Sequence, residues 1–382
     1  MIYLFVLLFL ALNFFFSDSR VKIRGVRNLP LFLSLLFLIL LAGFRFRVGF
    51  DTINYNRYFE EMDSLSSLNS NSFLTDRFQP LWILLVAICK SIYPSIYILQ
   101  LIVSIFFNLS VFRVFFKFGL LGFFPIMLYF NTYYIFYNFE VMRESVAVSI
   151  FLFSFPDLVK RNWFKYLAFS FMAYLFHASA AVLLVIPLLS IISGRIVVYV
   201  FAIMFFTFLL FFSELMDFFI ANIDLSSSFI YFDSYIYNFA NLNIIGFVAE
   251  ALGKISLPLM LYYLSKNPES KLHVFRPLLL ISALIGVVAI RLPIANRMNS
   301  YFFILYIMIL SDYFYHFWHM RERRFVFYAC LIVSVLSFYN NLFTVSIDPN
   351  NPESRYKVVR RYYPYYHILN PKHDEIREAF AF

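Results

Sequence analysis

The residues of this chain that could do chemistry are arginines, acids and one histidine at the ends of apolar segments. The first group follows the second apolar segment and contains Arg45, Arg47, Gly49, Asp51 and Tyr55. A charge forced to the centre of a membrane helix costs about 2.5–3.5 kcal/mol, and glycine permits a tight turn. The pattern therefore predicts a turn in which Asp51 and the arginines converge on a ligand. The alternative is a capped helix end with a local ion pair.

A second group lies where another apolar run begins, with Glu140 before Arg143 and Glu144. Spacings of three and four residues predict that Glu140 shares one helix face with Arg143 and Glu144. An arginine at this place can also lie with its stem along the lipid. The flanking carboxylates favour an organised charged pocket.

Two further motifs interrupt apolar runs. His177 lies in Phe176-His177-Ala178-Ser179-Ala180, and Arg291 and Arg297 stand on either side of a break at Pro293. Broken helices at charged residues often mark ligand sites in membrane proteins. His177 is a candidate general base, with a hydrogen-bonded structural role as the alternative.

These groups predict a cluster on one face of a helical bundle, made of Arg45, Arg47, Arg143, Arg291 and Arg297 with Asp51, Glu140, Glu144 and His177. Because arginine binds phosphate in a planar, bidentate way, we expect a multiply charged anion such as pyrophosphate. The sequence has no Asp-x-Asp motif for a divalent metal. We therefore expect neither a metal nor another cofactor, with arginine neutralising the leaving group directly.

The composition specifies the elements that must position these residues. Of 382 residues, 62% are hydrophobic and 14% are charged, and the mean hydropathy is +0.77, which predicts an integral membrane protein. The net charge of +9 comes from basic residues in short loops, a pattern typical of polytopic proteins rather than nucleic-acid binders. Both cysteines, Cys89 and Cys330, lie in apolar runs, which favours neither a disulfide nor a metal site.

The apolar runs predict an all-α polytopic protein with about 12 transmembrane helices. They lie near 2–16, 29–44, 95–117, 119–138, 141–156, 163–176, 178–193, 196–213, 244–264, 275–291, 298–317 and 325–345. Residues 79–93 form a further apolar run, which we interpret as a re-entrant or tilted half-helix because a full crossing would place the later basic loops outside. The first run has no basic segment before it and is expected to be a retained span.

We predict one membrane domain over residues 1–345 and a basic, aromatic tail over 346–382. Residues 45–78 and 214–243 are predicted outer loops, the first with short helices. The second is rich in aromatic residues that could stack on sugar rings, although a belt at the membrane surface gives the same pattern. The arginine-rich loops are expected on the outer face, opposite the mixed Lys and Arg loops.

With these motifs in place, the chain resembles the EpsG family of Wzy-type bacterial polysaccharide polymerases. The resemblance runs in order over nearly the whole chain: Arg45, Gly49, Asp51 and Tyr55; Met142-Arg143-Glu144 with Ala147; Phe176-His177 with Ser179-Ala180; Asn296-Arg297 with Tyr301-Phe302; and Pro364-Tyr365. The family often has Glu-Pro where this chain has Gln79-Pro80. Position 79 therefore cannot supply an acid or base here.

The resemblance implies a fold related to the GT-C glycosyltransferases, in the bacterial inner membrane, with the active site on the periplasmic or outer face. It implies transfer of a growing glycan from undecaprenyl pyrophosphate to a sugar hydroxyl of the next lipid-linked repeat unit, with a chain-length regulator as a further partner. Under this hypothesis Arg143, Arg291 and Arg297 bind the leaving group. Arg45 and Arg47, with Tyr55, Glu140 and Glu144 nearby, hold the acceptor, and His177 or Asp51 is the base. A ligase of the same fold and a flippase for lipid-linked sugars are the alternatives.

Overall fold

The structure of the protein is a computed structural model. It describes residues 2–14, 16, 28–69, 73, 76–189, 248, 250–265, 270–291, 295–317 and 362–379, and the single positions 328, 332, 335, 336, 338, 339 and 342. Within these residues the regular structure is helical. The β pairing found there consists of isolated bridges from His367 to Arg45 and to Asn370. The all-α prediction is therefore confirmed for this part of the chain.

Two compact units make up the chain. The first contains Met1–Leu158, Phe164–Ala178 and Phe314–Phe382, and the second contains Val159–Trp163 and Ser179–Tyr313. The helices up to the second unit are α1 (Ile2–Asn13), α2 (Asn28–Gly43), α3 (Phe50–Glu61), α4 (Pro80–Ile92), α5 (Ile96–Lys117), α6 (Phe123–Tyr129), α7 (Met142–Val159) and α8 (Trp163–Tyr174). The later helices are α9 (Ala181–Leu189), α10 (Leu257–Leu264), α11 (Arg276–Arg291), α12 (Asn296–Asn299), α13 (Phe303–Phe317) and α14 (Glu375–Ala379).

Helix lengths bear on the predicted membrane spans. Ile96–Lys117 and Leu272–Ile290 are long and apolar enough to cross a membrane, and five shorter apolar helices have 10 to 17 residues. The short ones include α4, whose 13 residues fall below the ~20 needed for a full crossing. The re-entrant interpretation of residues 79–93 stays a prediction, as does the count of 12 spans. The predicted span 196–213 and the loop 214–243 lie outside the described residues.

Two π-helical turns connect α6 to α7 and fix the direction in which the chain enters α7. They span Phe130–Tyr134 and Phe136–Glu140, and a closed set of buried hydrogen bonds holds them against α5. Asn108 donates to the side-chain oxygen of Asn138 at 2.9 Å, Asn138 donates to the Tyr129 hydroxyl at 3.0 Å, and that hydroxyl donates to Asn108 at 3.0 Å. Buried polar groups that are all paired specify one arrangement, so the end of the second turn has a defined place.

The second unit has a close approach of its own. A Cβ added at Gly286 in α11 would collide with the backbone oxygen of Lys254, which belongs to the π turn Leu252–Ser256 before α10. Glycine allows these two segments to pack backbone against backbone. The Lys254 ammonium donates to the carbonyl of Ala289 at 3.0 Å, which holds the turn along α11.

Candidate functional site

In the first unit, α3 is held at both ends by charged side chains from other elements. The Glu140 carboxylate accepts the backbone N–H of Asp51 at 2.9 Å in the first turn of α3. At the other end the ammonium of Lys90 in α4 donates to three backbone carbonyls: those of Phe59 (3.0 Å), Glu60 (2.8 Å) and Met62. An acid at the N-terminus and a base at the C-terminus both complement the helix dipole. The position of α3 is therefore fixed relative to α4 and α7.

The turn into α3 requires the glycine that the sequence places there. Gly49 has a φ of +96°, a region that glycine enters without strain. A Cβ added at Gly49 would also lie 3.0 Å from the backbone oxygen of Phe139. The predicted tight turn is confirmed, and the Glu140 carboxylate caps the helix that follows it.

Arg45 lies inside this turn, with 1% of its surface exposed. Its guanidinium donates to Thr52 Oγ1 at 3.1 Å, to Met142 Sδ at 3.3 Å and to the carbonyl of Ala42. It also lies 5.0 Å from the ring centroid of Phe139. Burial lowers the pKa of Arg45 to about 10, so the side chain remains protonated at neutral pH. Each of its nitrogens has a protein acceptor, which fits a role in positioning the turn.

Arg47 instead contacts the C-terminal tail. Its guanidinium forms an ion pair with Glu378 at 2.7 Å, and His373 Nδ1 lies 2.8 Å from the other oxygen of the same carboxylate. Partial burial opposes ionisation of Glu378, but the hydrogen bonds from His373 and Arg47 outweigh it and lower its pKa. Buried Arg377 donates to the backbone oxygens of Arg47 (3.2 Å) and Pro364 (3.0 Å).

The tail also pairs with the chain backbone next to Arg45. The N–H of Phe46 donates to the carbonyl of Tyr366 at 2.9 Å, and the N–H of Ile368 donates to the carbonyl of Phe44 at 3.1 Å. The Tyr365 hydroxyl donates to the carbonyl of Leu41 at 2.9 Å. Residues 362–379 therefore form one side of the turn that carries the two arginines.

Arg143, in the first turn of α7, has a different environment, because it contacts the residues just before α4. Its guanidinium carbon lies 3.9 Å from the ring centroid of Phe78, and one nitrogen donates to Gln79 Oε1 at 3.2 Å. The Nε of Arg143 is buried and has no hydrogen-bond partner among the residues that the structure describes. No carboxylate among the described residues forms an ion pair with Arg143. This arginine is thus partly buried, positively charged and incompletely satisfied.

Six residues make up what we call the Arg143 cluster: Tyr58, Asp76, Arg77, Phe78, Gln79 and Arg143. The guanidinium carbon of Arg77 lies 4.8 Å from the ring centroid of Phe78. The Tyr58 hydroxyl donates to Asp76 at 2.7 Å, and its ring packs edge-on against Phe78. Burial and then the hydrogen bond to Asp76 raise the pKa of Tyr58, so its hydroxyl remains a donor.

The junction that contains His177 meets the same end of α4. The N–H of Leu81 donates to the carbonyl of Leu175 at 3.1 Å, and the N–H of His177 donates to the carbonyl of Ala173 at 3.0 Å. His177 is buried, with 9% of its surface exposed. The start of α4 therefore brings the junction close to the segment that contacts Arg143.

One prediction about these residues is wrong. Glu140 does not share a helix face with Arg143, because Val141 has φ −103° and ψ 54° and separates the π turn from α7. Glu140 is directed at α3, and Glu144 is almost fully buried. Tyr55 contacts Trp82 of α4, with ring centroids 5.6 Å apart.

The remaining two arginines belong to the second unit. Arg297 is partly buried in α12, and Arg291 ends α11 with a side chain outside the described residues. Their roles, like those of the other proposed site residues, stay predictions. No group of three or more His, Cys, Asp or Glu side chains that could hold a metal ion occurs in the part of the chain that the structure describes.

Sequence reasoning did not single out several residues that the structure places here: Tyr58, Asp76, Phe78, Lys90, Arg377 and Glu378. Arg77 lies in the predicted outer loop 45–78 and has no predicted role of its own. An available signal was Arg77-Phe78 directly before Gln79-Pro80, since a guanidinium near an aromatic ring can form a cation–π contact.

The family of this chain follows from its similarity to known proteins. A sequence model of the EpsG family matches residues 28–358. The chain belongs to the EpsG family. This is a family of Wzy-like polysaccharide polymerases and glycosyltransferase-like membrane proteins. No curated protein and no solved structure matches the chain.

Family membership and the apolar helices together identify an integral membrane protein. The EpsG family also indicates a role in polysaccharide biosynthesis, with a lipid-linked oligosaccharide as substrate. The expected likeness to the EpsG family is therefore confirmed.

Proposed function

We propose that this EpsG-family protein is a polysaccharide polymerase that transfers a growing glycan from undecaprenyl pyrophosphate to the next lipid-linked repeat unit. The reaction would take place on the periplasmic or outer face of the bacterial inner membrane, in a bundle related to the GT-C glycosyltransferases. The observation that carries the proposal is the buried Nε of Arg143, which has no hydrogen-bond partner in the described part of the chain. The EpsG match supplies the class of substrate.

Arg143 is suited to bind a phosphate. A buried donor without a partner costs about 1–3 kcal/mol, and more when the group is charged. The protein contacts of Arg143 are the face of Phe78 and the neutral amide of Gln79. Neither removes its charge, so an anionic oxygen that reached Nε would gain both a hydrogen bond and the attraction of an unneutralised cation.

The proposed reaction forms one bond and breaks another at the same carbon. The oxygen of an acceptor hydroxyl bonds to the anomeric carbon of the donor glycan, while the bond from that carbon to the pyrophosphate oxygen breaks. The hydroxyl proton passes to a base, for which His177 and Asp51 are the candidates. The electron pair of the broken bond leaves with undecaprenyl pyrophosphate. Because negative charge grows on the leaving oxygen, a guanidinium placed there stabilises the transition state.

The other arginines have different parts in this proposal. Arg45 has its nitrogens engaged by the protein, so we assign it to positioning the turn beside the acceptor rather than to direct contact. Arg47 can reach the acceptor when it exchanges Glu378 for a substrate anion. For Arg291 and Arg297 the assignment to the leaving group rests on their sequence motifs alone.

The test uses the purified full-length protein in detergent with synthetic repeat units on undecaprenyl pyrophosphate and without a chain-length regulator. We expect a ladder of products spaced by one repeat unit. Arg143→Ala should lower the rate by about 10²-fold or more, the usual effect of removing one electrostatic stabiliser. The rate of Arg143→Lys should lie between those of the wild type and Arg143→Ala, because lysine keeps the positive charge but lacks the planar guanidinium.

Arg113→Ala is the matched control. Arg113 also lies over a phenylalanine ring, with its guanidinium carbon 4.7 Å from the Phe153 centroid, but it is exposed on α5. If Arg143→Ala and Arg113→Ala polymerise at similar rates, Arg143 has no part in the mechanism. A folded wild-type protein that gives no ladder from its cognate unit refutes the polymerase. Transfer to a single different acceptor would instead identify a ligase.

A further inference from the structure

Arg77 and Arg143 share one aromatic ring. Their guanidinium carbons lie 4.8 Å and 3.9 Å from the ring centroid of Phe78. Arg77 is exposed and Arg143 is partly buried. Two like charges held near one ring repel each other, and an anion that contacts both of them offsets that repulsion.

The nearby acid, Asp76, does not neutralise either arginine. Asp76 accepts the Tyr58 hydroxyl on one carboxylate oxygen at 2.7 Å and the backbone N–H of Phe78 on the other at 2.8 Å. Neither Arg77 nor Arg143 forms an ion pair with a carboxylate of the described residues. The cluster carries two arginines and one acid, and therefore one excess positive charge that is available to a ligand.

Position 79 preserves this excess charge. The Gln79 amide oxygen accepts one N–H of Arg143 at 3.2 Å, which orients the guanidinium without neutralising it. A carboxylate at the same place would form an ion pair with Arg143 and compete with an incoming phosphate.

We propose that Arg77 and Arg143 form a two-point site for a diphosphate, in which Arg77 makes this site select a diphosphate-linked lipid over a monophosphate-linked one. The inference rests on the proposed function and adds a specificity residue to it. Guanidinium groups bind phosphate through parallel N–H···O bonds. A diphosphate offers one phosphate to each arginine, whereas a monophosphate can satisfy only Arg143, whose Nε has no partner among the described residues.

Binding can be measured on the full-length protein without any turnover. Farnesyl diphosphate and farnesyl monophosphate form a matched pair of probes, and inorganic pyrophosphate is the third. Affinities come from the rise in unfolding temperature with probe concentration, since a ligand that binds the folded state stabilises it. Wild-type protein should bind farnesyl diphosphate at least about tenfold more tightly than the monophosphate, because one charge-assisted contact is worth roughly that ratio.

Arg77→Ala should bring the ratio of the two affinities close to one by weakening the diphosphate and leaving the monophosphate unchanged. Arg77 is exposed, so the variant should fold, and Arg77→Lys should restore part of the ratio. Arg113→Ala should keep the wild-type ratio. If Arg77→Ala also keeps the wild-type ratio, the two-point site is refuted. Equal affinities for inorganic pyrophosphate and farnesyl diphosphate would refute a lipid-linked ligand.

The same variants separate this inference from the proposed function. If the wild type gives a product ladder and Arg77→Ala does not change the affinity ratio, the polymerase is supported and the two-point site is refuted. If the wild type prefers the diphosphate, Arg77→Ala abolishes that preference and no ladder forms, the two-point site is supported and the polymerase is refuted.

Discussion

Substitution of Glu140 tests whether this acid is part of the chemistry or of the scaffold. Its carboxylate accepts the N–H of Asp51 at 2.9 Å, and 7% of the residue is exposed. Glu140→Gln keeps an acceptor of the same size but loses the favourable charge at the N-terminus of α3, worth about 0.3–1 kcal/mol. It also removes a negative charge that favours protonated Arg45. We expect a loss of stability of about 1–2 kcal/mol and a polymerisation rate near wild type.

Glu140→Ala removes the acceptor as well. A lost cap costs about 1 kcal/mol, and a buried N–H left unpaired costs about 1–3 kcal/mol, so this variant should be clearly less stable than Glu140→Gln. Unfolding in detergent gives the stability and the product ladder gives the rate. A Glu140→Gln protein with wild-type stability and no polymerisation would refute the scaffold role. It would place the carboxylate on the substrate.

Three further outcomes test the rest of the site. Gly49→Ala should destabilise the protein by about 1–3 kcal/mol, because the φ of +96° is costly for alanine; a wild-type unfolding temperature would contradict this. Lys90→Met should lower that temperature, since it leaves three carbonyls at the C-terminal end of α3 without their cation. Lys117→Met, at an exposed lysine that ends α5, serves as the control. The pKa of Glu378 is lowered. Its ion pair with Arg47 is therefore complete when the pH is above the ordinary pKa of a carboxyl group, and it is lost as the pH falls through the lowered pKa. After correction for its intrinsic pH dependence, hydrogen exchange of residues 362–379 should therefore stay slow at pH 5 and become faster only in more acidic buffer. Faster corrected exchange at pH 5 than at pH 7 would contradict this prediction.

Local sequence was sufficient for some features of the site and not for others. Gly49 after an apolar run predicts a turn, because few other residues tolerate its backbone angles. Arg143 at the start of an apolar run predicts a charge near a helix end. Both predictions depend on neighbours within a few residues, and both describe the structure correctly.

The wrong helix face of Glu140 has a specific cause. Spacing arguments assume 3.6 residues per turn, whereas residues 130–134 and 136–140 form π turns and Val141 leaves the helical region. Each wider turn rotates the following side chains away from the expected face. No periodic pattern in these aromatic residues marks the change, so the sequence could not reveal that Glu140 is directed at α3.

Contacts between segments far apart in the sequence could not be predicted either. Arg47 and Glu378 lie 331 positions apart, and nothing local connects a basic turn near the start of the chain to an acid near its end. Arg77 resembles the other outer arginines in the sequence. Its particular position becomes visible only when Phe78 is seen to lie against both Arg77 and Arg143.

The charged residues of the first unit thus divide by the kind of partner they have. Glu140 and Lys90 contact backbone groups at the two ends of α3, and Arg47 pairs with Glu378 of the tail. These contacts neutralise charge or complete a helix end, and they place α3 against α4. Arg143 contacts an aromatic face and a neutral amide, which support a cation without neutralising it. Because a buried unneutralised charge lowers stability, its presence beside a rigid helix is better explained by a ligand that supplies the missing negative charge than by the fold itself.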